Sequence, residues 1–103
     1  VSVTRADAAA WRPACDEYFD RFADGIWDEF CQLQLILPRE KAEANPARGE
    51  LVVGHAGVDG IHFCCRAGME GIFAWYGIEG EHVLVAPDLA TLVARWRDGS
   101  LTL

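Results

Sequence analysis

The chain has 103 residues, 51% of them hydrophobic and 24% charged, which excludes a disordered chain and sets the expectation of a single domain over residues 1–103 burying roughly two thirds of its extended surface. Nine Lys and Arg against sixteen Asp and Glu give a net charge of −7, so a binder of the phosphate backbone or of anionic lipid, which needs a basic face, is a poor fit. No apolar run approaches the roughly 20 residues that span a bilayer, the stretch near Leu33 to Leu37 having the length of one strand, so neither nucleic acid nor membrane is an expected partner.

The segment TRADAAAWRPACDEYFDRFADG reads as helix, with Thr4 as its cap and a kink or a junction of two helices at Pro13, which lacks an amide donor. Beyond Pro13, Cys15, Tyr18, Phe19, Phe22 and Ile26 recur at helical spacing as a buried stripe, and Gly25 offers a stop. Leu33, Leu35 and Leu37 then alternate as a strand ended by Pro38. The polar stretch REKAEANPARG reads as a loop, with room for a short helix over Glu40 to Ala44.

The second half changes character. The runs ELVVG, GIHFCC, GIFAWY and HVLVA are separated by glycine-rich turns, as in an antiparallel meander. Leu89, Leu92, Val93 and Trp96 then form the stripe of a closing helix that Gly99 ends, with Leu101 and Leu103 as a packed tail or return strand. These elements predict an α+β fold: a mostly antiparallel sheet of about four to six strands, with N-terminal helix or helices and a C-terminal helix packed on it. The Leu35 side and the Phe63 or Phe73 side of the sheet are expected to meet the helices.

Cys15, Cys31, Cys64 and Cys65 form no disulfide-rich pattern, and no secretory signal begins at Val1, which predicts reduced thiols and a cytoplasmic protein. His55, Asp59, His62, Cys64 and His82 are the candidates for a metal or a cysteine–histidine site. In a strand over 61–65, His62 and Cys64 point to one face, and His82 begins a neighbouring run. The chain has no CxxC, no HExxH and no repeated ligand spacing, so spacing alone assigns no metal ligand, no catalytic residue and no cofactor. Asp59, Glu70, Glu79 and Glu81 lie in polar turns where carboxylates are ordinarily solvated, and GHAGVDG lacks the lysine and hydroxyl of a phosphate loop.

An acidic series, Asp16, Glu17, Asp20, Asp24, Asp28 and Glu29, is relieved only by Arg21. With Trp27 as an aromatic anchor, Asp20, Asp24, Asp28 and Glu29 form the expected partner-binding face, and Tyr76, Glu79 and Glu81 form the competing one.

From Leu51 onward, LVVGHAGVDGIHFCCRAGMEGIFAWYGIEGEHVLVAPDLATLVARW resembles the C-terminal part of the SUKH superfamily, which includes yeast cell-wall-assembly regulators and bacterial immunity proteins that neutralise toxins. The matching elements are a strand ending at Gly54, the GxDG turn at Gly57 to Gly60, the aromatic Trp75, Val85 and Ala86, and the closing helix with Leu89, Leu92 and Trp96. Leu37 and Pro38 match a leucine-proline step of the first half, whereas REKAEANPARG does not supply the aromatic and glycine pair expected after it. The resemblance implies a protein-binding scaffold with no shared catalytic residues. The leading expectation is therefore a non-catalytic, cofactor-free protein, a monomer or weak homodimer, binding a protein partner such as a basic toxin domain. The alternatives are a small metal-dependent or cysteine/histidine hydrolase, and a regulatory or scaffolding subunit.

Overall fold

The computed structural model describes residues 16–45, 49–57, 61–66 and 68–101. The expected cap at Thr4, the kink at Pro13, and the placements of Trp11, Cys15, Asp59 and Leu103 lie outside the described residues. Residues 16–21 are helical (α1), and seven strands follow among the described residues. They are β1 (Ile26–Asp28), β2 (Leu33–Ile36), β3 (Glu43–Asn45), β4 (Glu50–His55), β5 (Ile61–Arg66), β6 (Ile72–Tyr76) and β7 (Glu81–Ala86), and α2 (Leu89–Asp98) closes the chain. The α+β class and the antiparallel sheet flanked by an N-terminal and a C-terminal helix are as the sequence predicts.

Every strand pairing is antiparallel, in the order β1-β2-β4-β5-β6-β7, with β3 also on β4. β2 and β3 share one edge of β4, Ile36 opposite Gly54 and Glu43–Asn45 opposite Val52–Glu50. The break between them has a chemical cause: Leu37 still donates its amide to Val53 O at 2.7 Å, but Pro38 has no N–H to continue the ladder. A 3-10 turn over Arg39–Lys41 then carries the chain into β3, so the expected helix over Glu40 to Ala44 is a turn followed by a strand. Gly54 is needed where β2 and β4 meet, because a Cβ there would collide with the Leu35 carbonyl.

The sheet separates two environments. Leu51 and Val53, Phe63 and Cys65, Ile72 and Ala74, and Val85 form one buried cluster with Tyr18 of α1 and Leu89, Leu92 and Val93 of α2. Burying those apolar side chains together is the main force on the fold. Tyr18 is fully buried and donates its hydroxyl to Leu37 O at 2.6 Å. Phe63 meets Trp96 edge to face with ring centres 6.4 Å apart, so the Phe63 side faces the helices. Phe73, the other candidate, is buried outside that cluster, as are Val52 and Cys64. Alternation along each strand puts these three, with Glu50, His62, Arg66, Trp75 and His82, on the opposite face.

Two carboxylates fix α2. Asp88 caps it by accepting from Thr91 N at 2.7 Å, and Glu17 of α1 accepts from Leu89 N at 2.6 Å and Ala90 N at 3.2 Å. Three of the helix's first amides are thereby satisfied. Gly99 ends α2 with φ of 79°, the left-handed turn that glycine adopts without a Cβ clash.

Candidate metal centre

On the face away from the helices, Glu50 begins β4, His62, Cys64 and Arg66 alternate along β5, Phe73 and Trp75 along β6, and His82 follows the first residue of β7. Glu50 lies directly opposite Arg66, Val52 opposite Cys64, and His62, Trp75 and His82 form one cross-strand row. The His82 ring stacks obliquely on Trp75 at 4.7 Å and meets Phe73 edge-on at 6.5 Å. That aromatic seat holds the imidazole over β6 and aims Nε2 toward β4.

The result is convergence on one carboxylate. Glu50 Oε2 lies 3.1 Å from His82 Nε2 and 3.2 Å from His62 Nε2, and the Glu50 side chain has no exposed surface. An ionised carboxylate only accepts, so each ring then carries its proton on Nε2. The Cys64 thiol is hydrogen-bonded to the same glutamate. Burial, then that hydrogen bond and the carboxylate charge, push the thiol well above its ordinary range, against a smaller opposing effect of Arg66. Cys64 is therefore a protonated thiol when no metal is bound.

One ligand atom from each of Glu50, Cys64 and His82 lies within 4.8 Å of the other two. Carboxylate oxygen, thiolate sulfur and imidazole nitrogen together suit Zn²⁺ and its borderline neighbours, whose bonds to such atoms are about 2.0–2.3 Å. The three side chains come from β4, β5 and β7, so sheet register rather than local sequence spacing assembles them. His62 adds an outer hydrogen bond to the glutamate, the arrangement that orients a metal-ligating carboxylate.

Of the sequence candidates, His62, Cys64 and His82 do come together, and Asp59 lies outside the described residues. His55 is exposed and lines a different hollow with Leu37, Glu40, Lys41, Glu43 and Val52. Sequence reasoning missed Glu50 and Arg66. The signal was strand parity: within ELVVG the residues facing opposite to Leu51 and Val53 are Glu50 and Val52, and Arg66 continues the series His62, Cys64.

The expected partner face is differently built. Asp20 is exposed on α1 and Asp24 follows the helix, but Trp27 and Asp28 belong to β1 and Glu29 to the turn after it. Asp28 is not simply solvated: it accepts from Trp96 Nε1 at 2.6 Å and Cys31 N at 2.9 Å, and these bonds hold its carboxyl below the usual range. Trp27, Asp28 and Glu29 line a cleft of about 810 Å³ with Arg95, Trp96 and Arg97. Tyr76 packs against the helix-side core, while Glu79 and Glu81 are exposed in the β6–β7 hairpin.

No family model, no curated protein and no solved structure matches the chain. The likeness to the SUKH superfamily thus stands on its quoted residues alone. The expectation of a non-catalytic binding protein, and with it the exclusion of an enzyme, is overturned by the buried Glu50–Cys64–His82 group. The ligand-like geometry of a carboxylate, a thiol and an imidazole argues against excluding an enzyme. No helix among the described residues is long and apolar enough to cross a membrane.

Proposed function

We propose that the protein binds a divalent transition metal of the zinc class at Glu50, Cys64 and His82 and uses it in hydrolytic chemistry. The observation that carries this reading is the convergence of the three ligand atoms within 4.8 Å at a buried point of the sheet. Three protein ligands leave a fourth position, the count typical of catalytic rather than structural zinc. A metal bound there supplies Lewis acidity.

The residues divide the remaining work. Glu50 and Cys64 bring negative charge once the thiol proton leaves, and Phe73 and Trp75 hold the His82 ring. His62, the most exposed of the group at 18%, holds a proton at Nε2 against Glu50 and is placed to exchange it with solvent or substrate. A metal-free cysteine nucleophile is the weaker reading, because the Cys64 thiol is buried, kept protonated, and bonded to a carboxylate rather than activated by an imidazole.

The test is cobalt substitution with a hydrolysis assay. Wild-type protein loaded with Co²⁺ is expected to show a thiolate-to-cobalt charge-transfer band that Cys64→Ser removes, and the zinc form is expected to hydrolyse an activated ester such as p-nitrophenyl acetate. The metal reading fails if one equivalent of Co²⁺ gives no such band. The hydrolytic reading fails if the band forms but the rate equals that of the chelator-treated protein.

A further inference from the structure

We infer that the ligand taken at this centre carries a carboxylate, held between the metal position and the guanidinium of Arg66. The inference rests on the metal reading above and deepens it. Arg66 faces Glu50 directly across the β4–β5 ladder and lies two residues beyond Cys64 on the same side of β5, which places its Cα about 7 Å from that of Cys64. Its Cζ stands 5.6 Å from the centre of the Phe73 ring, a cation–π contact that steadies the guanidinium without using its N–H groups.

The Nε–H of Arg66 is buried and meets no hydrogen-bond acceptor. Guanidinium N–H groups removed from water are ordinarily paired, because an unmet charged donor is costly. Glu50, directly opposite on β4, has its Oε2 against the two imidazoles. A half-buried, stacked arginine whose buried Nε–H is unpaired, beside a three-ligand group, is a donor poised for an anion.

Charge sets the class of anion. A divalent metal, the Glu50 carboxylate and a Cys64 thiolate sum to zero, and Arg66 leaves one positive charge. A singly charged carboxylate completes that balance, and its two oxygens match the pairing geometry of a guanidinium on one side and a metal on the other. A dianionic phosphate overshoots the balance, and a neutral amide leaves it unmet.

The experiment uses full-length Co²⁺-loaded protein and follows its visible spectrum during titration with acetate, with acetamide and with inorganic phosphate. Acetate is expected to perturb the spectrum saturably, acetamide to do nothing at equal concentration, and phosphate to bind more weakly than acetate. Arg66→Gln is expected to take up one Co²⁺ with an unchanged charge-transfer band and to weaken acetate by about tenfold or more. Arg66→Lys, which keeps the charge and loses the fork, falls between the two and serves if the glutamine variant fails to fold. Equal responses to acetate and acetamide, acetate affinity unchanged in the Arg66 variants, or phosphate binding tighter than acetate would each overturn the inference. A wild-type protein that takes up cobalt and ignores acetate sinks this inference alone. One that takes up no cobalt sinks the metal reading and this inference with it.

Discussion

Glu50 and His82 stand 32 residues apart in the chain and three strands apart in the sheet, yet Oε2 of one lies 3.1 Å from Nε2 of the other. With strands about 4.8 Å apart, roughly 14 Å separates their backbones, and the two side chains close that gap from opposite sides above β5 and β6. Such a contact exists only if the registers of three consecutive hairpins are all correct, since a one-residue slip in any of them turns a member to the helix-covered side. The group therefore reports on the whole sheet.

Glu50→Ala removes the common acceptor of two imidazoles and a thiol and leaves them facing a buried void. A loss of about 2–4 kcal/mol in unfolding free energy is expected by urea denaturation. Glu50→Gln keeps the volume and one acceptor oxygen and is expected to cost less than half of that. Equal stability of the wild type and Glu50→Ala would mean that the carboxylate is not engaged as described.

Asp28 makes the fold sensitive to acid. The Cys31 backbone N–H and then the Trp96 indole hold its carboxyl below the usual carboxylate range. A carboxyl depressed in the folded state stabilises the protein above its unfolded pKa and loses that contribution as pH falls through the folded value. Thermal melts should thus show Asp28→Asn below wild type at pH 7, with the gap narrowing below about pH 3.8. A gap that is constant with pH would assign the effect to packing rather than to charge.

The first turn of α2 depends on two carboxylates from different parts of the chain, Asp88 beside it and Glu17 from α1, each meeting different amides. Asp88→Ala and Glu17→Ala are each expected to cost about 1 kcal/mol. In a double-mutant cycle the losses should add, because no amide is shared. Strong coupling between them would show that α1 and α2 dock as one cooperative step.

Cysteine reactivity separates the two sides of the molecule. Cys31 is exposed, whereas Cys64 and Cys65 are buried and the Cys64 thiol is raised further by Glu50. Brief iodoacetamide treatment of the folded, metal-free protein should modify Cys31 and spare Cys64 and Cys65, as read by peptide mass mapping. Labelling of Cys64 at the rate of Cys31 would contradict the burial of the centre.

Much of this architecture is legible in the sequence, and the rest has identifiable reasons for being hidden. The glycine-separated runs from Leu51 onward became β4 to β7, and the stripe Leu89, Leu92, Val93, Trp96 became α2. β1 and β3 have three residues each, too few to display a two-residue period, so Trp27 and Asp28 read as part of an acidic series and not as a strand. Strand parity put His62 and Cys64 on one face correctly. Glu50 escaped notice because its neighbours in the centre lie 12, 14 and 32 residues away, and only hairpin register brings them close. A charged residue opening an apolar run also reads as the end of a turn. Its burial is a tertiary fact.

Calorimetric titration of the purified, chelator-stripped protein with Zn²⁺ addresses the central claim most directly. One equivalent per chain is expected, with release of the Cys64 thiol proton seen as a dependence of the heat on buffer ionisation enthalpy. His62→Gln should weaken binding by about tenfold through the orientation of Glu50, and Cys64→Ser and His82→Gln should weaken it more than that. No saturable uptake, or uptake left unchanged by both Cys64→Ser and His82→Gln, would contradict the metal centre.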